Sequence, residues 1–249
     1  MRVAALYDIH GNLPALEAVL DEVHKAGVNH VVVGGDVLPG PMPCETIGLL
    51  RDLDLPVQFI QGNGDREAIG WRRGVESSVV PEPYREAMRW VARQLHPDEE
   101  TLLAGWPLTV RLHVDGVGEV LFCHATPRND TECFTQLTAD EKLRPIFDGL
   151  NVPVVVCGHT HMQFDRMIGK TRVVNAGSVG MPFAAPGAYW LLLGPDIQLR
   201  HTAYNLANAA ERIRATAYPM AEEFAARNVL QPPSERDMLD LFARAELTT

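Results

Sequence analysis

Five apolar segments of strand length, each ending in polar residues, constrain this chain of 249 residues more than any other feature. Each segment stops at Gly, His, Asp or Asn. A buried strand gains nothing from a polar cluster at its end unless several ends converge on a common ligand. The segments are VAALYDIHGN (3–12), HVVVGGD (30–36), VQFIQGNGD (57–65), EVLFCHA (119–125) and VPVVVCGHTH (152–161).

The side chains at these ends are those that bind metal ions. They supply two carboxylates, one amide oxygen and four imidazoles, a set that suits two divalent first-row ions better than one. We therefore predict a dinuclear metal enzyme with the ligands Asp8, His10, Asp36, Asn63, His124, His159 and His161.

Each end also has an ordinary structural explanation. Asp36 is a candidate helix cap or turn residue, and Gly62–Asp65 a candidate Asn-Gly turn. His124 is a candidate core histidine. His159 and His161 are poor turn and core residues and good ligands. The metal site is favoured because all the ordinary explanations would have to hold independently.

Spacing within the first segment supports a shared ion. In an extended backbone, residues i and i+2 point the same way. A strand is predicted over residues 2–8, and if the backbone stays extended past it, Asp8 and His10 point the same way and can bind one ion together.

The order of elements predicts an α/β fold. The β-α-β-α-β pattern of the N-terminal part favours parallel strands with ligands at their carboxyl ends. The second half is rich in hairpins, one turning at Asp115–Gly116, which implies mixed sheets. Residues 65–106 are predicted to form a helical cap or side-wall. The pattern is helical from about Asn205 to the end, where helices would cover a sheet edge or support a homo-oligomer.

Bulk properties exclude some functions. The formal net charge of -10 disfavours a general grip on nucleic acid polymers. No apolar run is long enough to span a bilayer, and no signal peptide is apparent, so we expect a cytoplasmic protein without membrane partners. The four cysteines show no CxxC pairing, and Cys123 and Cys157 lie inside apolar strands as space-filling thiols.

Taken together, the five ends resemble the motifs of the calcineurin-like metallophosphoesterases, which are DxH, GD, GN, a lone H and GHxH. The resemblance covers roughly residues 2–203. DIHGN, GHTH and VVNAGSVG (173–180) are most similar to the small bacterial and archaeal phosphodiesterase branch. The matching positions are Asp8–His10, Gly35–Asp36, Gly62–Asn63, His124 and Gly158–His161.

The resemblance implies a domain plan. We expect a four-layer α-β-β-α sandwich of two mixed sheets flanked by helices. The metallophosphoesterase domain would span residues 1–204, including the helical region 65–106. Residues 205–249 would form a C-terminal helical extension packed on the same domain.

The resemblance also implies a division of the ligands. Asp8, His10 and His161 would hold one ion, Asn63, His124 and His159 the second, and Asp36 would bridge both. Two ions ~3.5–4 Å apart would share a hydroxide and clamp the oxygens of an in-line displacement. The metal is open among Mn, Fe, Co, Ni and Zn. The residues assigned to catalysis are Asp36, Asn63 and Asp65.

One position departs from the family pattern. Members with the GNH[DE] form have a histidine after the metal-bound Asn, as general acid or transition-state stabiliser, and here that place is Gly64. Asp65 lacks the imidazole it would orient. General acid catalysis is worth ~10²–10⁴-fold. We therefore expect a preference for activated esters or anhydrides, or a replacement donor from elsewhere.

Three further residues are candidates for substrate contact. Arg66 and Arg128 are planar bidentate donors next to motif residues and would bind phosphate or form surface salt bridges. Asn12 would touch substrate or cap the following helix.

The predicted function is that of a dinuclear metal-dependent phosphodiesterase acting on a small anionic phosphoester. The alternative within enzymes is a phosphomonoesterase acting on phosphoprotein or a nucleotide, including dinucleoside polyphosphates. A non-catalytic binding scaffold on the same fold is the alternative from another class.

Overall fold

The computed structural model describes residues 1–247, which form two five-stranded sheets with helices on their outer faces. Strands in the described part are β1 (Val3–Leu6), β2 (His30–Val33), β3 (Val57–Phe59), β4 (Thr109–Val114), β5 (Gly118–Cys123), β6 (Val154–Cys157), β7 (Phe164–Ile168), β8 (Thr171–Asn175), β9 (Ala188–Leu193) and β10 (Ile197–Thr202). The helices are α1 (Leu13–Lys25), α2 (Pro43–Arg51), α3 (Asn63–Arg72), α4 (Arg85–Gln94), α5 (Pro97–Ala104), α6 (Asp140–Phe147), α7 (Leu206–Arg214), α8 (Ala221–Phe224) and α9 (Glu235–Phe242), with a 3₁₀ turn at Glu82–Tyr84 and a π-helical segment at Ala225–Leu230.

Both sheets are mixed, as predicted. The first has the order β10-β9-β1-β2-β3 and the second β4-β5-β6-β8-β7. Pairings β1–β2 and β2–β3 are parallel, which confirms the expectation from the β-α-β-α-β pattern. Pairings β5–β6 and β6–β8 are also parallel, whereas β4–β5 forms the predicted hairpin. The strands that precede the predicted ligands therefore all belong to parallel pairs, so their carboxyl ends share one edge of each sheet.

Three apolar cores separate the four layers. Tyr7 and Phe122 belong to the core between the two sheets, and both are fully buried. The outer face of the first sheet packs on helices of the N-terminal and C-terminal parts. Phe147 of α6 packs on the outer face of the second sheet. This arrangement confirms the four-layer sandwich of two mixed sheets flanked by helices.

Local sequence explains where the first helix begins. The Asn12 side chain caps α1 by accepting a hydrogen bond from the Ala15 N–H (3.3 Å), and a proline lies in the first turn, where its missing N–H costs nothing. Leu16, Val19 and Val23 form the buried stripe that faces the sheet. Helix α1 is thereby fixed against the strand that leads into the first motif.

Two expectations from the sequence are wrong in detail. The first strand ends at Leu6, and Asp8 and His10 have positive φ angles of 52° and 48°, so they do not lie on one face of an extended segment. The C-terminal part is not helical to its end, because α9 stops at Phe242 and Glu246 forms a bridge with Cys133. Thr248 and Thr249, the last residues of the predicted extension, lie outside the described residues.

The C-terminal helices share the apolar core of the first sheet. Ala210 and Ile213 of α7, together with Phe224 and Val229, are buried in the same cluster as Leu16 of α1. The helices α3–α5, which account for the helices of the predicted region 65–106 although α3 begins at Asn63, contribute to that cluster as well. A division of the chain at residue 204 stays a prediction. Among residues 1–247, no helix is long and apolar enough to cross a membrane.

Removing one side chain of this shared core should destabilise the whole fold. Ile213 is fully buried, so Ile213→Ala is expected to lower the free energy of unfolding by about 2–5 kcal/mol. Urea denaturation followed by circular dichroism measures the change. Leu199→Ala is the control, since Leu199 is 46% exposed. A loss for Ile213→Ala no larger than that of the control would show that α7 contributes little to the stability of the fold.

Candidate metal centre

The loops that follow β1, β2, β3, β5 and β6 bring the seven predicted ligands together. Backbone hydrogen bonds extend the β1–β2 pairing into the first two loops, from the Asp8 N–H to the Gly35 carbonyl (3.1 Å) and from the His10 N–H to the Asp36 carbonyl (3.0 Å). The Gly158 N–H donates to the His124 carbonyl (2.8 Å) and joins the fourth and fifth loops in the same way. The ligands thus meet because the backbone pairing continues past the strand ends.

The first group of side chains consists of Asp8, His10 and His161. Oδ1 of Asp8 lies 3.3 Å from Nε2 of His161, and Nε2 of His161 lies 3.3 Å from Nε2 of His10. All three residues are buried, and their donor atoms lie close enough together to share one ion.

The second group consists of Asn63, His124 and His159. Oδ1 of Asn63 lies 3.0 Å from Nε2 of His124 and 3.0 Å from Nδ1 of His159. The two imidazole rings meet edge to face, with centroids 5.1 Å apart. An oxygen and two nitrogens therefore face a common point.

Asp36 lies between the two groups. Its Oδ2 is 3.7 Å from Nε2 of His10, and its Oδ1 is 3.5 Å from Nε2 of His124. Burial, followed by repulsion from Asp8, raises the pKa of Asp36 well above its ordinary value. One carboxylate oxygen is thus directed towards each group.

Every one of the four histidines is anchored through one nitrogen. A ring N–H facing a backbone carbonyl leaves the other nitrogen with a lone pair, and such anchoring fixes the tautomer of metal-binding imidazoles. Here the nitrogen that faces away from the carbonyl always faces the cluster. The anchored pairs are His10 Nδ1 with Pro39 (3.3 Å), His124 Nδ1 with Gly34 (3.0 Å), His161 Nδ1 with Met181 (2.7 Å) and His159 Nε2 with Thr131 (3.2 Å).

The cluster has acceptors that face one another without donors. Oδ1 of Asp8 is buried and accepts no hydrogen bond within residues 1–247, while its Oδ2 accepts from the His159 N–H (2.9 Å). Rotating the Asn63 amide would place its nitrogen against the two imidazoles, but the Asp8 oxygen gains no donor from that rotation. A buried oxygen without a donor is costly, so the residues fit divalent cations.

Burial also keeps two of the imidazoles neutral. It lowers the pKa of His10 to about 3, with repulsion from His161 as the second cause. It lowers the pKa of His159 to about 3, with His124 as the second cause. For His161 burial acts in the same direction, but attraction to Asp8 outweighs it and raises the pKa. Neutral imidazoles are the form that binds metal.

The backbone at the cluster is strained. Left-handed φ angles are uncommon outside glycine and cost of order 1–3 kcal/mol where the residue is unsuited to them. In the described chain, most non-glycine residues with such angles are predicted ligands, namely Asp8 (52°), His10 (48°), Asp36 (51°), His159 (65°) and His161 (57°).

Two residues that the sequence analysis did not single out hold these loops. Asn175 donates from Nδ2 to the Gly158 carbonyl (2.7 Å) and to the Thr160 hydroxyl (3.1 Å). Ser178 donates to the Asp8 carbonyl (2.7 Å), and its oxygen accepts from a backbone N–H. Both belong to VVNAGSVG (173–180), so the run that supported the resemblance also contained the signal for their role.

Asp65 contacts backbone rather than the cluster. It is fully buried, and its carboxylate accepts hydrogen bonds from the N–H groups of Asp36 (2.9 Å), Leu38 (3.0 Å) and Gly62 (3.0 Å). Burial and the nearby Asp36 raise the pKa of Asp65 to about 8. These contacts make Asp65 a positioning residue, and a direct catalytic role stays a prediction. Asn63 begins α3, so the Asn-Gly turn weighed for this segment is wrong.

The three candidate substrate contacts all have partners in the protein. Arg66 forms a two-pronged ion pair with Asp130 (2.7 and 3.2 Å), and Arg128 pairs with Glu132 (3.0 Å from Nε). Asn12 is buried, caps α1 and donates from Nδ2 to the Gly180 carbonyl (2.9 Å). The salt bridges and the helix cap that were the alternatives to substrate contact are therefore present. Contact of these three residues with substrate stays a prediction.

Comparison with known proteins identifies the family of this chain. The model of the calcineurin-like phosphoesterase superfamily domain matches residues 1–194. An uncharacterised protein of Methanocaldococcus jannaschii is 26% identical, in an alignment that covers 87% of this chain and 93% of that protein.

Two solved structures have the same fold. A hypothetical protein of Pyrococcus horikoshii superposes with a TM-score of 0.76 at 19% identity, covering 94% of this chain and 99% of the other. A metallophosphoesterase of Sphaerobacter thermophilus superposes with a TM-score of 0.72 at 24% identity, covering 91% and 97%. Because the family model spans most of the sequence, the chain belongs to the calcineurin-like phosphoesterase superfamily of metal-dependent phosphoester hydrolases.

Proposed function

We propose that this protein is a phosphodiesterase that uses two divalent metal ions to hydrolyse a small anionic phosphoester. The observation that carries the proposal is the position of Asp36, with one oxygen towards each group of ligands. A carboxylate is the side chain here that can bridge two cations while reducing their mutual repulsion. Two ions bound there would supply positive charge for the phosphate oxygens and lower the pKa of the attacking water towards neutrality.

The protein's own part is to hold the ligands in a fixed geometry. Backbone carbonyls orient the four imidazoles, and Asp65 accepts hydrogen bonds from the N–H groups of Asp36 and Leu38 in one loop and of Gly62 in the next. Such pre-organisation limits the rearrangement needed when charge develops on the phosphate oxygens. The resemblance of DIHGN, GHTH and VVNAGSVG to the phosphodiesterase branch supports a diester over a monoester.

The residue at position 64 supports a substrate with a good leaving group. A Cβ atom added to Gly64 would lie 2.3 Å from the Leu38 carbonyl oxygen and 3.0 Å from Cδ of Pro39. The histidine of the GNH[DE] form therefore has no room at this position in this backbone. Without that general acid, the leaving group must depart with little protonation, which favours activated esters and anhydrides.

Loss of the bridging carboxylate should remove metal and activity together. Asp36→Asn is expected to lower kcat/KM more than about 100-fold. Substituting a residue that only positions a metal ligand typically lowers metal affinity or activity ~10–100-fold, and substituting the ligand itself should cost more. Asp65→Asn should fall within that smaller range, since it leaves the ligands in place. Activity and metal content by plasma mass spectrometry are measured on the same samples.

Asp52→Asn is the matched control for these variants, because Asp52 is exposed at the end of α2. This variant should have the metal content and the kcat/KM of the unaltered protein. If Asp36→Asn kept both its metal content and most of its activity, the dinuclear scheme would be wrong.

Restoring the family histidine should not restore a general acid. Gly64→His is expected to lower the free energy of unfolding by about 1–3 kcal/mol through the backbone clash and to leave turnover of alkyl esters no faster. Gly48→His is the control, since a Cβ at Gly48 meets nothing within 4 Å. A gain of about 10²-fold or more on alkyl leaving groups would contradict the packing argument.

Metal removal tests the reaction class directly. Chelator-stripped protein should turn over neither bis-p-nitrophenyl phosphate nor p-nitrophenyl phosphate, and added Mn²⁺ should restore turnover with preference for the diester. Metal-dependent turnover of the monoester alone would favour the phosphomonoesterase instead. Tight metal binding without turnover of any phosphoester would favour the binding scaffold.

A further inference from the structure

We propose that the cleft between the metal centre and the C-terminal helices binds an uncharged aryl or similarly flat apolar ester group of the substrate. This inference rests on the proposed phosphodiesterase function and names its substrate class. The cleft has a volume of about 520 Å³, within the usual range for small-molecule sites. Its walls come from α4, the segment around Met181–Phe183 and the helices between Tyr218 and Leu241.

The cleft begins at the metal centre. His10 and Pro39 line one end of it, and the Pro39 carbonyl is the group that anchors His10. On the other side, the ring of Phe183 stacks on His161, with centroids 4.8 Å apart and an angle of 18° between the planes. A phosphate held at the centre would therefore direct one of its ester groups into the cleft.

The lining is aromatic and rich in methionine. Tyr84, Phe183, Tyr218 and Phe224 supply rings. Half of the chain's eight methionines are also in the lining, at Met88, Met181, Met220 and Met238. Thioethers are polarizable, adapt their shape and make favourable contacts with aromatic rings, so this surface suits a flat apolar group better than a sugar.

Charge is confined to the solvent edge. The charged residues of the lining, Glu223 and Arg227, are both exposed on the C-terminal helices. The deeper residues Met88, Tyr218 and Phe224 are buried and apolar. An ester group that carried its own charge would lose hydration there without gaining a partner, so the cleft selects an uncharged group.

The test compares substrates with one leaving group and different second esters. We expect kcat/KM for p-nitrophenyl phenyl phosphate to exceed that for p-nitrophenyl methyl phosphate by about 10–100-fold, from burial of the ring. Leu241→Asp places a charge at the cleft and should lower this ratio by about 10-fold. Leu137→Asp is the matched control, because Leu137 is 71% exposed and lies outside the cleft, and it should leave the ratio unchanged.

Binding provides a second readout that needs no turnover. Phenylphosphonate should bind the Mn²⁺-loaded protein at least about 10-fold more tightly than methylphosphonate by isothermal titration calorimetry, and Leu241→Asp should remove that preference. If the preference were found without hydrolysis of any diester, the cleft would stand and the proposed function would fail.

Other outcomes would overturn the cleft proposal while leaving the enzyme class intact. One is metal-dependent turnover of phenyl and methyl esters within threefold of each other. Another is a change of the ratio in Leu241→Asp no larger than in Leu137→Asp. Faster turnover of thymidine 5′-p-nitrophenyl phosphate than of the phenyl ester would assign the cleft to a nucleoside instead.

Discussion

The structure depends on a buried cluster of acidic and imidazole side chains in which one oxygen has no hydrogen-bond donor within residues 1–247. That oxygen is Oδ1 of Asp8, and Asp8 belongs to both sets of side chains that lie close enough together to hold an ion, one with His10 and His161 and one with Asp36 and His124. Burying acceptors in this way is unfavourable unless positive charge compensates them. The apolar cores on both faces of the sheets stabilise the fold and hold the loops in place despite this unfavourable burial. The free energy of metal binding would then count towards the stability of the folded state.

The strained backbone of the predicted ligands is stabilised by side chains from other parts of the chain. The loops that carry predicted ligands in left-handed backbone are held by side chains that bond to their backbone, among them Asn175, Ser178 and Asp65. Each of these residues joins loops that come from different strands. A backbone conformation that is unfavourable in isolation persists when several independent hydrogen bonds define it. The support therefore explains why residues as bulky as His159 and His161 adopt angles typical of glycine.

Apolar runs and their polar ends predicted the mixed sheets and the residues that converge, because period and strand polarity are local properties of a sequence. The sequence predicts an extended strand at Asp8 and His10, and this is wrong because their conformation depends on contacts that are not local: their N–H groups donate to the carbonyls of Gly35 and Asp36 in another loop. The backbone contacts of Asp65 were missed for the same reason. The cleft was beyond prediction, because its residues are separated by up to 231 positions in the chain, from His10 to Leu241.

Gly64 connects the chemistry of the centre with the cleft. Its N–H donates to Oδ1 of Asp36 (2.7 Å), and a Cβ atom added to it would lie 2.3 Å from the Leu38 carbonyl oxygen, so the loop that positions the Asp36 carboxylate requires a residue without a side chain. The missing histidine is thus a consequence of how two loops pack. An enzyme without that group must obtain transition-state stabilisation from other sources. Binding energy from a remote part of the substrate is such a source, and an apolar cleft that begins at His10 supplies it.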